Sequence, residues 1–338
     1  MRVKLTAGTN VGCVRTNNED NFITNIALSR PDWFLPKDVS QAVSLCDEGC
    51  AFVVADGMGG LNAGEVASAI AVEHVKQEFL DANLKKIVKS EKDVEKFMRE
   101  IVEKADAAIK KRVEEDSETK GMGTTLIFAW VIGRKAYLSW CGDSRGYLFN
   151  PNSGLKRVSK DHSYVQELVD AGKLDADLAF DHPNSNIITR CLGDFKDKAK
   201  PDFAVITLKK GDRIMLCSDG LCGLCRDEEI NETMSNFCED IEVCKRELIN
   251  AALNAGGYDN VTIALMEVVE DDDDVAIADT CEFSTKKTKK KRKNKKGKSA
   301  SFWGVLVFII ILLVIIALVL KNTELFDNIR EAITNAIS

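Results

Sequence analysis

Several acids in this sequence stand at the ends of apolar runs. Phe52-Val53-Val54-Ala55 leads straight into Asp56, with Gly57, Gly59 and Gly60 close behind. Ile214–Ser218 leads into Asp219 and Gly220 in the same way, and Asp259 stands just ahead of the run Val261–Leu265. Asp143 falls between two strand-like runs, where the turn of a hairpin is expected, and Glu19 and Asp20 lie side by side near the N-terminus. Taken singly, each reads as an ordinary turn acid, since Asp-Gly is a common turn signal. Together they pose an electrostatic problem. Removing a carboxylate from water is costly unless a partner compensates, and several carboxylates gathered at one edge of packed sheets do not all ionise unless cations lie between them.

The donor set narrows the choice of cation. Carboxylates with glycine carbonyls nearby are hard oxygen ligands, suited to Mg²⁺ or Mn²⁺. Zinc is disfavoured, because the three histidines, His74, His162 and His182, show no metal-ligand spacing. Cys222 and Cys225 have the spacing of a zinc or redox pair, but no second pair completes a site. Other chemistries lack their motifs: there is no P-loop and no HExxH, the dinucleotide fingerprint started by Gly57 and Gly59 breaks at Asn62, and no GxSxG nucleophile elbow is expected. A carboxylate site for two Mg²⁺ or Mn²⁺ ions about 3.5–4 Å apart serves phosphoryl chemistry. Arg15, four residues ahead of Glu19, carries the planar fork that matches a phosphate bidentately.

Positioning these groups takes both kinds of element. Strand-like runs cover residues 124–132, 136–141, 146–150, 212–218 and 261–268, and helical spacing of apolar residues marks 65–80 and 93–113. The strands cluster without regular βαβ alternation, so a mixed fold of mainly antiparallel sheets plus helices is expected. Of the 338 residues, 45% are hydrophobic, enough for a substantial core. The eleven cysteines and an N-terminus without the apolar stretch of a signal peptide point to a reducing cytoplasm rather than a disulfide framework.

Charge divides the chain. The formal net charge is −7, yet residues 286–298 alone hold ten Lys and Arg, behind the acidic run Glu270–Asp274. The acidic body ahead of them argues against nucleic-acid binding. Residues 302–320 carry no charge at all, and at ~1.5 Å per residue they reach ~28 Å, about one hydrocarbon core. The expected organisation is a catalytic domain over 1–269, an acidic then basic juxtamembrane linker over 270–300, a transmembrane helix over 301–321 and a short extracytoplasmic tail over 322–338. The basic block places itself and the large domain on the cytoplasmic side of a cell membrane, and it suits anionic lipid head groups.

In their order along the chain, VRTNNEDN (14–21), VVADGMGG (53–60), GMGTTL (121–126), CGDSRGYL (141–148), DHS (161–163), HPNSNIITRCLG (182–193), LCSDGL (216–221) and GGYDNVTI (256–263) resemble the metal-dependent type 2C (PPM) Ser/Thr protein phosphatases in their bacterial form. The resemblance runs over nearly all of residues 1–269. It implies an α+β fold, an αββα sandwich of two central antiparallel sheets flanked by helices. It implies that Asp56 bridges two Mn²⁺ or Mg²⁺ ions, that the Gly57 carbonyl binds one of them, and that Asp219 and Asp259 complete the other. Asp143 matches the acid that holds a third ion with Asp219 in bacterial members. Arg15 matches the phosphate-binding arginine, Glu19 and Asp20 the acids that orient the attacking water, and residues 160–185 the flap beside the site.

The implied activity is one-step hydrolysis of phosphoserine and phosphothreonine in proteins. Expected partners are phosphorylated proteins, a membrane Ser/Thr kinase and its targets, and the lipid bilayer, with no nucleic acid. Two features depart from the family. Met58 occupies the position where many eukaryotic members have a histidine that protonates the leaving group, which leaves that role to metal-bound water or another acid, with His162 in the flap one candidate. Residues 29–50 form a long insertion, expected to be a surface loop.

Overall fold

The computed structural model describes residues 1–33, 41–59, 63–194, 196 and 198–271. The described residues all belong to one compact unit; residues 272–338, which hold the linker beyond Asp271, the apolar segment and the tail, lie outside the described residues. Among the described residues no helix is long and apolar enough to cross a membrane.

Among the described residues twelve strands make two antiparallel sheets. In chain order they are β1 (Arg2–Asn10), β2 (Asp20–Asn25), β3 (Val43–Ser44), β4 (Cys50–Met58), β5 (Gly123–Thr124), β6 (Leu126–Ile132), β7 (Lys135–Cys141), β8 (Arg145–Asn150), β9 (Gly154–Arg157), β10 (Asp202–Thr207), β11 (Arg213–Cys217) and β12 (Val261–Glu270). One sheet runs β3-β1-β12-β11-β8-β9 and the other β10-β7-β6-β4-β2, with β5 paired to β4. The expected domain end at 269 falls one residue inside β12.

The apolar runs are continuous because both faces of each central strand are covered. Successive side chains on a strand point to opposite faces. In β4, Cys50, Phe52 and Val54 enter the core between the sheets, where they meet Leu5, Leu216 and Ala264. Ala51, Val53 and Ala55 enter a second core under α1 (Gly64–Asp81) and α3 (Glu91–Glu115). Short α2 (Leu84–Ile87) joins these two helices. The buried face of α3 repeats at helical spacing, Val94, Met98, Ile101, Ala105 and Ile109, and the Ser90 side chain caps its start by accepting from the Asp93 N–H.

Beyond the loop after β9, α4 (Tyr164–Asp170) and α5 (Ala176–Ala179) form the flap. A third core lies under α6 (Asp219–Cys222), α7 (Asp227–Asn236) and α8 (Ile241–Asn254), where Tyr147, Met215 and Ile263 meet Ile230, Met234 and Leu248. The layers are helix, sheet, sheet, helix, as the resemblance implied. Cys222 and Cys225 belong to this third core and are free thiols, so their spacing reflects packing.

Two expectations need correction. Asp143 is not at the turn of a hairpin. β7 pairs with β6 and β10 in one sheet, whereas β8 pairs with β11 and β9 in the other, so residues 142–144 cross between the sheets. Nor is the insertion 29–50 only a surface loop. It ends in Cys50, the first residue of β4, supplies β3 at a sheet edge against β1, and buries Trp33 at 1% exposure with its ring 5.5 Å from that of Phe79. Residues 34–40 of it lie outside the described residues.

Candidate metal and phosphate centre

In an antiparallel pair, the end of one strand and the start of its partner share one edge. β4 ends and β2 begins at the same edge, which makes Asp56 the register partner of Asp20. β11 ends and β12 begins at the matching edge of the other sheet, with Cys217 opposite Ile263, and this brings Asp219 and Asp259 together. Stacking the two sheets then unites acids that are up to 240 residues apart in sequence. The carboxyl groups of Asp56 and Asp219 meet across the seam, close enough for each to shift the titration of the other.

The electrostatics follow from that crowding. Burial pushes Asp56 well above the ordinary carboxylate range, and the charges of Asp219, Asp20 and Asp143 add to it. Burial and the charge of Asp259 raise Asp219, while its contact with Asp56 opposes the rise. Asp143 is pushed up to about 8, chiefly by burial, then by Asp219 and Asp161. Burial also takes Asp20 up to about 8, against hydrogen bonds from Thr262 and Ser218.

Glu19 and Asp20 adjoin in sequence but diverge in space. Asp20 is buried in the seam and accepts from Ser218 Oγ at 2.7 Å. Glu19 is half-buried beside the start of α1, where burial and the charge of Glu65 raise its carboxyl. Arg15 Nη2 donates to Asp259 Oδ2 at 2.7 Å, with half of the arginine side chain exposed; this bond is the main reason its guanidinium is raised further still.

Gly57 has a steric reason to be glycine. A Cβ there would lie 2.2 Å from the Gly64 carbonyl oxygen and 2.5 Å from that of Glu19, so strand, helix start and N-terminal loop meet at backbone distance. The Gly57 N–H donates to the Glu19 carbonyl at 3.1 Å. Met58 pairs with Gly123 of β5.

Four supporting residues escape a reading based on acids alone. Ser218 accepts from the Thr262 N–H at 2.9 Å as well as donating to Asp20. Asn260 accepts the Glu19 N–H at 2.7 Å and donates to the carbonyls of Val11 and Asn17, both at 2.9 Å. Thr125 Oγ1 accepts the Asp56 N–H at 3.1 Å and shares a 2.7 Å hydrogen bond with Ser144. Ser218, Asn260 and Ser144 each adjoin an acid in one of the quoted stretches, which was the available signal, whereas Thr125 lies in the acid-free stretch GMGTTL.

Two further readings change. Gly142-Asp143-Ser144-Arg145-Gly146 does spell GxSxG, but it joins strand to strand and buries Ser144 against Thr125, so Ser144 is not an elbow nucleophile. His162 is buried; its Nδ1 accepts the Gly142 N–H at 3.1 Å and its Nε2 faces Asp202 at 3.3 Å. Burial lowers its pKa, and both nitrogens are engaged, so it is not the proton donor.

Among the described residues no three acids, histidines or cysteines are drawn into a ready-made metal cluster. The acids take protein partners instead: Asp259 takes Arg15, Asp20 takes Ser218, and Asp56 takes Asp219. A set of oxygen donors that includes carboxyls raised chiefly by burial and then by one another's charge, with a backbone carbonyl at Gly57, suits hard divalent cations, whose charge offsets both effects.

The profile of the family described as Protein phosphatase 2C matches residues 37–255. The chain belongs to that family and is a protein-serine/threonine phosphatase. Protein phosphatase PhpP of Streptococcus pneumoniae is 33% identical over 266 residues, covering 78% of this chain and 97% of that protein. The crystal structure of Serine/threonine phosphatase Stp1 from Staphylococcus aureus matches with a TM-score of 0.67 at 30% identity, over 79% of this chain and 95% of that one. The catalytic domain of the phosphatase PstP, solved in complex with two manganese ions, matches with a TM-score of 0.62 at 31% identity, over 80% of this chain and 99% of that one.

Proposed function

We propose that this phosphatase hydrolyses phosphoserine and phosphothreonine in proteins at a Mn²⁺ or Mg²⁺ centre, from the cytoplasmic face of a cell membrane. The observation that carries the chemistry is the convergence of acids from both sheets at one edge: Asp56 pairs with Asp20 in one sheet, and Asp20 is tied by a 2.7 Å hydrogen bond to Ser218, the residue before Asp219, in the other. Asp56, the Gly57 carbonyl, Asp219 and Asp259 would hold two ions, and Asp143 with Asp219 a third; the manganese complex of PstP supports the two-ion part. When bound, the cations supply Lewis acidity and make a nucleophilic water available at neutral pH.

The chain's own groups do the rest. Asp56 and Asp219 would serve as carboxylate ligands, the bound charge offsetting the burial and crowding that raise them. Arg15 spends one donor on Asp259, which fixes the guanidinium, and offers the remainder of its fork to two phosphate oxygens. That arrangement aligns the phosphorus and stabilises charge on its equatorial oxygens during in-line attack. Glu19, at the mouth of the site, orients the attacking water, and Asp20 holds the floor through Ser218. The cysteines of the third core, Cys225 and Cys244 among them, are buried with raised thiols and stay outside the reaction.

The apolar segment 302–320 and the basic block before it support anchoring, with the domain held near membrane-bound phosphoproteins at raised effective concentration. A membrane Ser/Thr kinase and its targets are the partners this placement suits. The decisive assay is phosphate release by the full-length protein from a phosphothreonine peptide with Mn²⁺. Activity is expected to vanish in EDTA and in Asp219→Ala, and to fall by about 10²-fold in Arg15→Lys. Full activity in either of the first two overturns the metal centre. Solubilisation of the protein by alkaline carbonate overturns the anchor.

A further inference from the structure

The segment that carries Asp143 is clasped from two sides. On one side it rests on the strand of Asp56. Ser144 Oγ bonds Thr125 Oγ1 at 2.7 Å, Thr125 Oγ1 accepts the Asp56 N–H, and a Cβ on Gly142 would stand 2.6 Å from the Thr125 side chain. On the other side it is held by His162, at the base of the flap, through a reciprocal pair of bonds. The Gly142 N–H donates to His162 Nδ1 at 3.1 Å, and the His162 N–H donates to the Gly142 carbonyl at 3.0 Å.

The ring itself is fixed. Nδ1 is an acceptor, so the ring proton is on Nε2, which lies 3.3 Å from Asp202 Oδ2 at the start of β10 and 3.3 Å from Arg190 Nη1. The Thr189 N–H donates to the His162 carbonyl at 2.8 Å, which ties the far end of the flap to the same residue. One backbone bond and one imidazole thus set where the chain turns from β7 toward β8, and Asp143 is the next residue.

We infer that His162 is a positioning residue for Asp143, and that through it the seating of the flap governs cation binding by Asp143 and Asp219. The inference rests on the reading of Asp143 as a ligand of the third ion. It requires the acceptor at Nδ1 specifically. Asparagine places a side-chain oxygen near the position of Nδ1 and keeps the bond from Gly142. Glutamine places its amide nearer Nε2 and loses that bond while keeping the contact with Asp202.

The experiment is Mn²⁺ binding to the full-length, metal-stripped protein in detergent, by calorimetry, for wild type, Asp143→Asn, His162→Asn and His162→Gln, with thermal melts alongside. Loss of the weakest site in Asp143→Asn confirms the underlying reading; an unchanged isotherm there overturns it. His162→Gln is expected to weaken that one site by about tenfold or more, as loss of an outer-shell partner does, with the tighter sites unmoved. His162→Asn is expected to stay close to wild type. A wild-type isotherm in His162→Gln, or equal weakening in both His162 variants, overturns the inference while leaving the Asp143 reading in place.

Discussion

Asp20 belongs to one sheet, yet its carboxyl accepts its 2.7 Å hydrogen bond from Ser218 of the other. Ser218 in turn receives the Thr262 N–H and donates its own to the Thr262 carbonyl at 3.0 Å. A single hydroxyl therefore joins β2 to the β11–β12 edge, between the residues that flank Asp219 and Asp259. The seam between the sheets is apolar through its middle and polar at this end, where the acids gather.

Ser218→Ala tests that bridge. The substitution leaves a buried carboxyl and a buried N–H each short of a partner, and unsatisfied buried groups cost about 1–3 kcal/mol each. Urea denaturation is expected to show a loss of that order, accompanied by a lower kcat because the floor under Asp219 shifts. Unchanged stability would show that water replaces the hydroxyl without cost.

The raised carboxyls make the cation-free protein sensitive to pH in a direction that can be worked out. An unfolded aspartate titrates near ~3.9, whereas Asp20 and Asp143 titrate at about 8 in the fold, and Asp56 is also well above its ordinary range. Between these limits the native state holds protons that the unfolded state has released. Stability from these groups is therefore fully present below ~4 and is lost as pH rises toward 8. The melting temperature of the EDTA-treated protein is expected to fall from pH 5.5 to 8.5, and Mn²⁺ to restore most at the alkaline end. Asp20→Asn with Asp143→Asn should flatten the decline; an equally steep decline in that double variant would place the cause elsewhere.

The contrast between Asp56 and Asp143 shows what the sequence makes legible. The apolar run before Asp56 is read correctly as a strand because β4 is covered on both faces, and the acid at its end stands out against that run. Asp143 also follows a readable strand, but nothing local distinguishes a turn that returns to the same sheet from one that crosses to the other. Pairing decides it, and pairing depends on residues as distant as Met215 and Tyr147. Ser218, Thr125 and Asn260 were hidden for a related reason: a serine, threonine or asparagine in a loop has many uses, and only the packed sheets bring each to its acid.

Trp33 is the clearest case of a residue whose role depends on tertiary context, and it yields the next prediction. It sits in an insertion rich in turn residues, yet its ring lies against Phe79, which itself meets Phe97 and Trp130 at 5.4 and 5.1 Å. Trp33→Ala is expected to cost about 3–5 kcal/mol by cavity formation, measured by urea denaturation. Its kcat in Mn²⁺ at low temperature should match wild type, since α1 separates the ring from the acids. A large kcat loss in a fully folded variant would instead assign the insertion to the site.

Gly57→Ala offers the sharpest separation of backbone from chemistry. The added methyl would meet the carbonyl oxygens of Gly64 and Glu19 at 2.2 and 2.5 Å. Neither atom is the tip of a movable side chain; both are backbone, and β4, α1 and the loop of Glu19 would have to part. Overpacking of this kind costs about 1–3 kcal/mol and more where backbone must move. The variant still carries every acid, and its Gly57→Ala carbonyl is chemically unchanged. Weakened Mn²⁺ binding together with lowered stability is therefore the expected result, by calorimetry and denaturation of the same preparation. Lowered stability with wild-type Mn²⁺ affinity would remove the residue 57 carbonyl from the ligand set.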